Sequence, residues 1–171
     1  MRPASLVCVL CLLTGCTTGP PTNAVAPGID SLPSADRCPT DALPEPERTD
    51  GLTLSEYPKP PNRVNESTVA DYVVAFERAY FRNLIIAETA ADPEMNLTRV
   101  TVSAQVERVN RTTEGYTVVL APMAGTNYAS GIHGDRWPTV TYHAAATRLI
   151  RSRGEPPSDS TVGVVVLECP D

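Results

Sequence analysis

Apolar residues recur every three or four positions along residues 68–88, and this period predicts one amphipathic helix of about six turns. Thr68 is a suitable N-cap, because its hydroxyl can accept a hydrogen bond from a free backbone N–H group. Pro93 cannot continue a helix, so the helix should end before it. The apolar face consists of Val69, Tyr72, Val73, Phe76, Tyr80, Leu84 and Ala87.

The same helix carries a second, narrower apolar stripe, about 120–160° around the helix from Val69. It consists of Val74, Phe81 and Ile85. An exposed stripe of this kind would be a partner-binding surface. The alternative, which we favour, is that an arm formed by residues 38–61 covers it.

After residue 97 the hydrophobic period changes to two, which predicts antiparallel strands. Val100, Val102, Ala104 and Val106 should share one face of the first strand. A hairpin loop follows at residues 110–115, where Gly115 can adopt positive φ. The further predictions are strands at 116–128, 139–143, 148–151 and 161–168, with a turn at 131–135.

The last of these strands is the most apolar run after the first twenty residues, so it should be central or covered on both faces. The predicted fold class is therefore α+β, with one long helix packed on a four- to five-stranded antiparallel sheet.

The first residues have the pattern of a secretion signal. Arg2 is followed by an apolar run at residues 4–13, which is too short to span a bilayer. The run ends in Leu13-Thr14-Gly15-Cys16 and resembles the lipobox of secreted lipoproteins. This resemblance implies a signal peptide at 1–15 and a lipid on Cys16 that anchors the protein at the outer face of the cell membrane. An ordinary signal peptide is the alternative.

Residues 17–62 contain ten prolines and no hydrophobic period. Such a segment buries too little apolar surface to offset its ordering entropy, so residues 16–37 should form a flexible tether. Residues 38–61 contain leucines that can pack, and they should form an arm over a single domain at 38–171.

The net charge of −6 argues against nucleic acid as a partner. Lys59 is the only lysine among fourteen basic residues, which fits a salt-loving archaeon or a bacterium with a GC-rich genome.

Of the five cysteines, cleavage removes Cys8 and Cys11, and lipidation uses Cys16. The remaining pair, Cys38 and Cys169, should form a disulfide in an oxidising compartment, with two free thiols as the alternative. Two cysteines without a nearby histidine are too few for a metal site, so no metal or cofactor is predicted.

No catalytic motif of known spacing is present. His133, Asp135 and His143 are the candidates for an acid–base or metal site, and the plain alternative is a polar loop beside a solvent-facing strand. Three N-glycosylation sequons begin at Asn65, Asn96 and Asn110, each in a predicted loop or at an element boundary.

The lipobox, the proline-rich tether, residues 57–88 and the segment HGDRWPTVTYH resemble a group of haloarchaeal secreted lipoproteins. The resemblance implies location and fold rather than a reaction. A helix followed by an antiparallel meander also resembles cystatin-like and nuclear-transport-factor-like folds. A cystatin would need Gln-x-Val-x-Gly, whereas the segment beginning at Gln105 lacks that glycine and lies within a strand.

The predicted function is a non-catalytic binding module of the cell envelope, with another envelope component as its partner. One alternative is a cup for a small apolar ligand, lined by Tyr72, Tyr80 and Trp137. The other is a hydrolytic or metal-dependent enzyme that uses His133, Asp135 and His143.

Overall fold

One helix precedes six strands in the part of the chain that the structure describes. A computed structural model describes residues 29–38, 43–46, 51–90, 92, 94–136, 139–154 and 165–168. The α+β class is confirmed, because the helix packs on a sheet whose pairings are all antiparallel. The elements are α1 (Glu66–Ala90), β1 (Leu97–Arg111), β2 (Gly115–Tyr128), β3 (Gly131–Arg136), β4 (Val140–Ala145), β5 (Arg148–Arg153) and β6 (Val165–Glu168).

A capping box starts α1. The side-chain oxygen of Asn65 accepts a hydrogen bond from the Thr68 N–H at 3.1 Å, and the Thr68 hydroxyl accepts one from the Asn65 N–H at 3.0 Å. Asn65 is therefore the N-cap, and the prediction of Thr68 was wrong. The hydroxyl of Thr68 does bind a free N–H group, but from the third helical position of this reciprocal motif.

The predicted apolar face of α1 is buried against the sheet. Residues Val69, Tyr72, Val73, Phe76 and Tyr80 are all buried, and Leu84 and Ala87 are half-buried. Burial extends beyond this face to Glu77, Phe81 and Asn83. A helix that is buried on more than one side needs a second covering layer, which residues before the helix supply.

Nowhere in the described residues does a helix combine the length and the apolar composition that crossing a membrane requires.

The arm provides much of that second layer. The Asn83 amide accepts a hydrogen bond from the Ser55 N–H at 2.8 Å and donates one to the Ser55 carbonyl at 2.9 Å. Leu52 and Leu54 pack against the cluster that contains Phe81.

The apolar stripe on α1 is therefore covered rather than exposed. Phe81 is 2% exposed, Ile85 is 6% exposed and Val74 is half-buried. The alternative that these three residues form an exposed partner-binding surface is wrong, because the arm and the sheet together cover them.

Residues that precede the predicted tether boundary at residue 38 pack on the domain. Leu32 and Ser34 are buried, and the Tyr72 hydroxyl donates a hydrogen bond to the Pro33 carbonyl. Proline restricts the unfolded chain, so a few contacts suffice to hold a proline-containing segment in place. The rest of the predicted tether and the predicted signal peptide lie outside the described residues.

The strands follow one another as a meander in the order β1-β2-β4-β5-β6. β2 pairs with β4 through its first half and with β3 through its second half, so β3 and β4 share one place in the sheet. The sheet is therefore five strands wide, as predicted. The predicted turn at 131–135 was wrong: these residues form β3, because the chain reverses at 129–130 and β2 pairs with the segment that follows.

β6 lies at an edge among the described strands, so the prediction that it is central was wrong, while the alternative that both of its faces are covered stays a prediction. Each strand of the meander pairs with its predecessor, which leaves the last strand at an edge. The apolar composition of β6 corresponds to burial of its core-facing side, where Leu167 is fully buried.

Two register shifts interrupt the β1–β2 ladder, at Leu97/Arg99 and at Val106/Arg108. The second shift moves the alternation by one residue. Val109 consequently packs against the core. Val106 precedes this shift and shares its face with Val100, Val102 and Ala104, although 43% of its surface is exposed. Gly115 has a φ of +156°, as its predicted freedom allows.

Candidate functional site

A groove opens where α1 ends beside β2. Its cavity volume is about 430 Å³, and a second cavity of about 180 Å³ adjoins it and shares Met95, Thr126 and Tyr128 with it. We call the two together the helix-end groove. It is also lined by Ile85, Glu88, Thr89, Glu94, Asn96, Ala124, Ala129 and Ser130.

Local hydrogen bonds fix the loop that carries Met95. The Asp92 carboxylate accepts a hydrogen bond from the Glu94 N–H at 2.9 Å, and the Asp92 carbonyl accepts one from the Met95 N–H at 3.1 Å. The Ala129 N–H donates to the Asn96 carbonyl at 3.0 Å, which ties this loop to the β2–β3 turn. Met95 is thereby held with 47% of its surface exposed beside the groove.

The charges around the groove favour a neutral or positively charged molecule. Its lining includes the carboxylates of Glu88 and Glu94 and no lysine or arginine among the described residues. The last turn of α1 contains no basic residue, so the negative end of the helix dipole lacks compensation there.

A buried charge cluster connects α1 to the sheet under the other half of the helix. The Arg151 guanidinium donates to both carboxylate oxygens of Glu77, from Nε to Oε2 at 2.7 Å and from Nη2 to Oε1 at 2.8 Å. The Tyr142 hydroxyl donates to Oε2 of Glu77 at 2.6 Å. The Arg151 guanidinium carbon lies 4.7 Å from the centre of the Tyr80 ring.

This cluster is satisfied internally, so its geometry indicates a structural role. Burial alone would lower the pKa of Arg151, but the hydrogen bonds and charge of Glu77 outweigh it and raise that pKa above its usual value. Burial, followed by the charge of Glu77, raises the pKa of Tyr142 well above its usual value. Arg151 therefore stays charged and Tyr142 stays neutral near neutral pH.

The sequence contains one signal for this cluster. Arg151 lies two residues after Leu149, which places both on the same face of β5, and both are buried. An arginine at an inward position requires a buried acceptor. The sequence carries no such signal for Glu77, because the helical period alone does not show how much of α1 is covered.

The sheet register separates the candidate catalytic residues. His143 lies opposite Thr117, and His133 lies opposite Thr126, nine residues farther along β2. At about 3.3 Å per residue the two positions are roughly 30 Å apart along the strand. His143 and His133 therefore do not share a site, and Asp135 pairs beside His133 rather than beside His143.

His143 lines a separate cavity of about 290 Å³ together with Glu114 and Arg148, which form an ion pair with each other. The Nδ1 atom of His143 lies 3.2 Å from the Thr117 hydroxyl. Within the described part of the chain, no group of three or more His, Cys, Asp and Glu residues is arranged to hold a metal ion.

The interior that was considered as a ligand cup is filled by side chains. Tyr72 and Tyr80 are buried, and the ring of Tyr72 lies 6.2 Å from that of Phe76. Trp137 lies outside the described residues. The open space of the described chain instead includes the helix-end groove, which the sequence analysis missed because it forms between elements distant in sequence.

The sequon asparagines are accessible, since Asn65, Asn96 and Asn110 are all exposed. Cys38 is fully buried and is disulfide-bonded, while Cys169 lies outside the described residues. The pairing of these two cysteines stays a prediction. Cys16 also lies outside the described residues.

No protein-family model matches this chain, and neither a curated protein nor a solved structure is similar enough to it to count as a match.

Proposed function

We propose that this chain is a lipoprotein that is anchored at the outer face of a membrane through Cys16 and acts there as a non-catalytic binding module. The observation that carries the anchoring is Leu13-Thr14-Gly15-Cys16 at the end of an apolar run. Another component of the cell envelope is the proposed partner.

A buried residue limits the proposed distance from the membrane. Leu32 is buried in the core, and fifteen residues lie between it and Cys16. No chain of this length spans more than about 55 Å. The proposed anchor would therefore keep the domain within reach of components at the membrane surface.

Replacement of the anchoring cysteine tests this location. Cys16→Ser should release the chain to the medium or leave it unprocessed, whereas Cys11→Ser should behave like the wild type because the signal peptide is removed. Partition into a detergent phase and intact mass measure both outcomes. A Cys16→Ser variant that partitions like the wild type would show that Cys16 is not the anchor.

A second candidate function is the binding of a small molecule in the helix-end groove. The observation that favours it is the half-exposed Met95 beside a cavity of about 430 Å³. Because carboxylates flank the groove, a neutral or cationic apolar molecule fits better than an anion.

A matched pair of methionines tests the groove. Met95 and Met123 are 47% and 49% exposed, and only Met95 is among the residues that line the groove. The fluorescence of the neutral apolar dye Nile red should rise on binding, and Met95→Ser should weaken this binding while Met123→Ser leaves it unchanged. Equal effects of the two variants would contradict a site in the groove.

A further inference from the structure

An open edge runs along β1. Among the described strands, β1 ends the sheet on one side, and its fifteen residues are unusually many for an edge strand. Its two register shifts leave a regular stretch at residues 99–106 between them. From residue 100 to residue 106 this stretch carries no charge, proline or glycine, the devices that commonly protect an edge strand.

The direction of the backbone groups follows from two observations. The Arg82 guanidinium donates a hydrogen bond to the Val100 carbonyl, so that carbonyl points away from β2. Backbone direction alternates along a strand, so the N–H and C=O groups of the next residue, Thr101, point toward its partner Gly125 in β2. The Thr101 hydroxyl also lies 3.2 Å from the Gly125 carbonyl. Alternation then directs the backbone N–H and C=O groups of Val102, Ala104 and Val106 outward.

These outward groups are available for pairing. In the described chain, no hydrogen bond reaches the outward side of Val102, Ala104 or Val106. Arg82 also donates a hydrogen bond to the Thr53 carbonyl at 3.1 Å, which places the backbone of the arm beside Val100. Val106 exposes 43% of its surface at the far end of the same edge.

We infer that this edge pairs with the same edge of a second copy of this chain, antiparallel and about a two-fold axis at Ser103. In this register Val102 lies opposite Ala104 of the other copy, and these two symmetric pairs exchange the backbone hydrogen bonds of the interface. Val106 lies at the level of Val100, whose carbonyl keeps its hydrogen bond from Arg82. The exposed Val106 then gains an apolar neighbour in each half of the interface. The two sheets become one continuous sheet.

The charges of the strand favour this register. The axis places Arg99 of each copy opposite Glu107 of the other copy, so the interface contains two such pairs of opposite charge. Both residues are exposed on the isolated chain. Thr101 lies opposite Gln105 on the same surface, so the polar side of the strand is complementary to itself.

Cysteine cross-linking tests the axis. Ser103 would lie opposite itself in a non-hydrogen-bonded pair with Cα atoms about 4.5 Å apart, which permits a disulfide. Ser103→Cys should give a covalent dimer under mild oxidation. Thr101→Cys is the matched control, because it is equally exposed but would lie about 14 Å from its counterpart. The full chain is used, purified or on native membranes, so the result does not depend on the lipid anchor.

Charge reversal tests the register. Arg99→Glu and Glu107→Arg should each raise the dimer dissociation constant about tenfold, and the double variant should restore it, as measured by sedimentation. The inference is overturned if the chain is monomeric at its highest soluble concentration. It is also overturned if Thr101→Cys cross-links as well as Ser103→Cys, or if the single reversals change nothing.

Discussion

The buried pair between Glu77 and Arg151 should contribute far more to stability than an exposed ion pair of the same chemistry. Glu77→Gln keeps the size of the side chain but removes its charge, which leaves the Arg151 guanidinium without a counter-charge. The Arg151 side chain is only 6% exposed, and that of Glu77 is fully buried. Breaking a buried pair costs about 3–5 kcal/mol.

The chain provides its own control. Arg148 and Glu114 form an ion pair at 3.0 Å whose side chains are 47% and 72% exposed. Because water and salt screen such a pair, Glu114→Gln should cost no more than about 1 kcal/mol. Urea unfolding followed by circular dichroism measures the free energy of unfolding of both variants against the wild type.

Two further variants keep the test decisive if Glu77→Gln does not fold. Tyr142→Phe removes one donor to the carboxylate and should cost about 1.5–3 kcal/mol. Replacing Glu77 and Arg151 together by methionine removes both buried charges and should recover much of the loss. If Glu77→Gln costs no more than Glu114→Gln, or if the double replacement is no better than Glu77→Gln, the pair does not stabilise the fold as argued.

Three other outcomes are expected. Gly115→Ala should lower the free energy of unfolding by about 3 kcal/mol or more, since the new Cβ would overlap the Ala144 carbonyl oxygen. Gly51→Ala is the control and should lower it less, because a Cβ there meets no atom within 4 Å. The reverse order in urea unfolding would refute the overlap. Burial raises the pKa of Tyr57 to about 12 from an ordinary value near 10, so the unfolded chain loses this proton at lower pH than the folded chain. The free energy of unfolding of the wild type should therefore fall as the pH rises from about 10 to 12. In Tyr57→Phe this fall should be smaller. A disulfide between Cys38 and Cys169 would close a loop of about 130 residues and stabilise the folded chain by at most about 5 kcal/mol, so its reduction should lower the melting temperature. Peptide mapping that pairs Cys38 with another cysteine would refute this partner.

The sequence determined the elements whose signal is local. The apolar face of α1 was predictable residue by residue, because the helical period needs only neighbours three and four positions away. The alternation in β1 and the freedom of Gly115 have the same local origin. The three-residue error at the N-cap arose because Asn65 and Thr68 both have capping side chains, and only the backbone shows which residue precedes the helix.

The tertiary structure decided which surfaces are covered. Whether Phe81 is exposed depends on where the arm lies, and Glu77 becomes a buried anion only because Arg151 reaches it from β5, seventy-four residues later. The place of β6 at an edge, the separation of His133 from His143 and the groove at Met95 all depend on strand order and register. The physical reason is that periodicity specifies one face of one element, whereas burial is set by several elements that are distant along the chain.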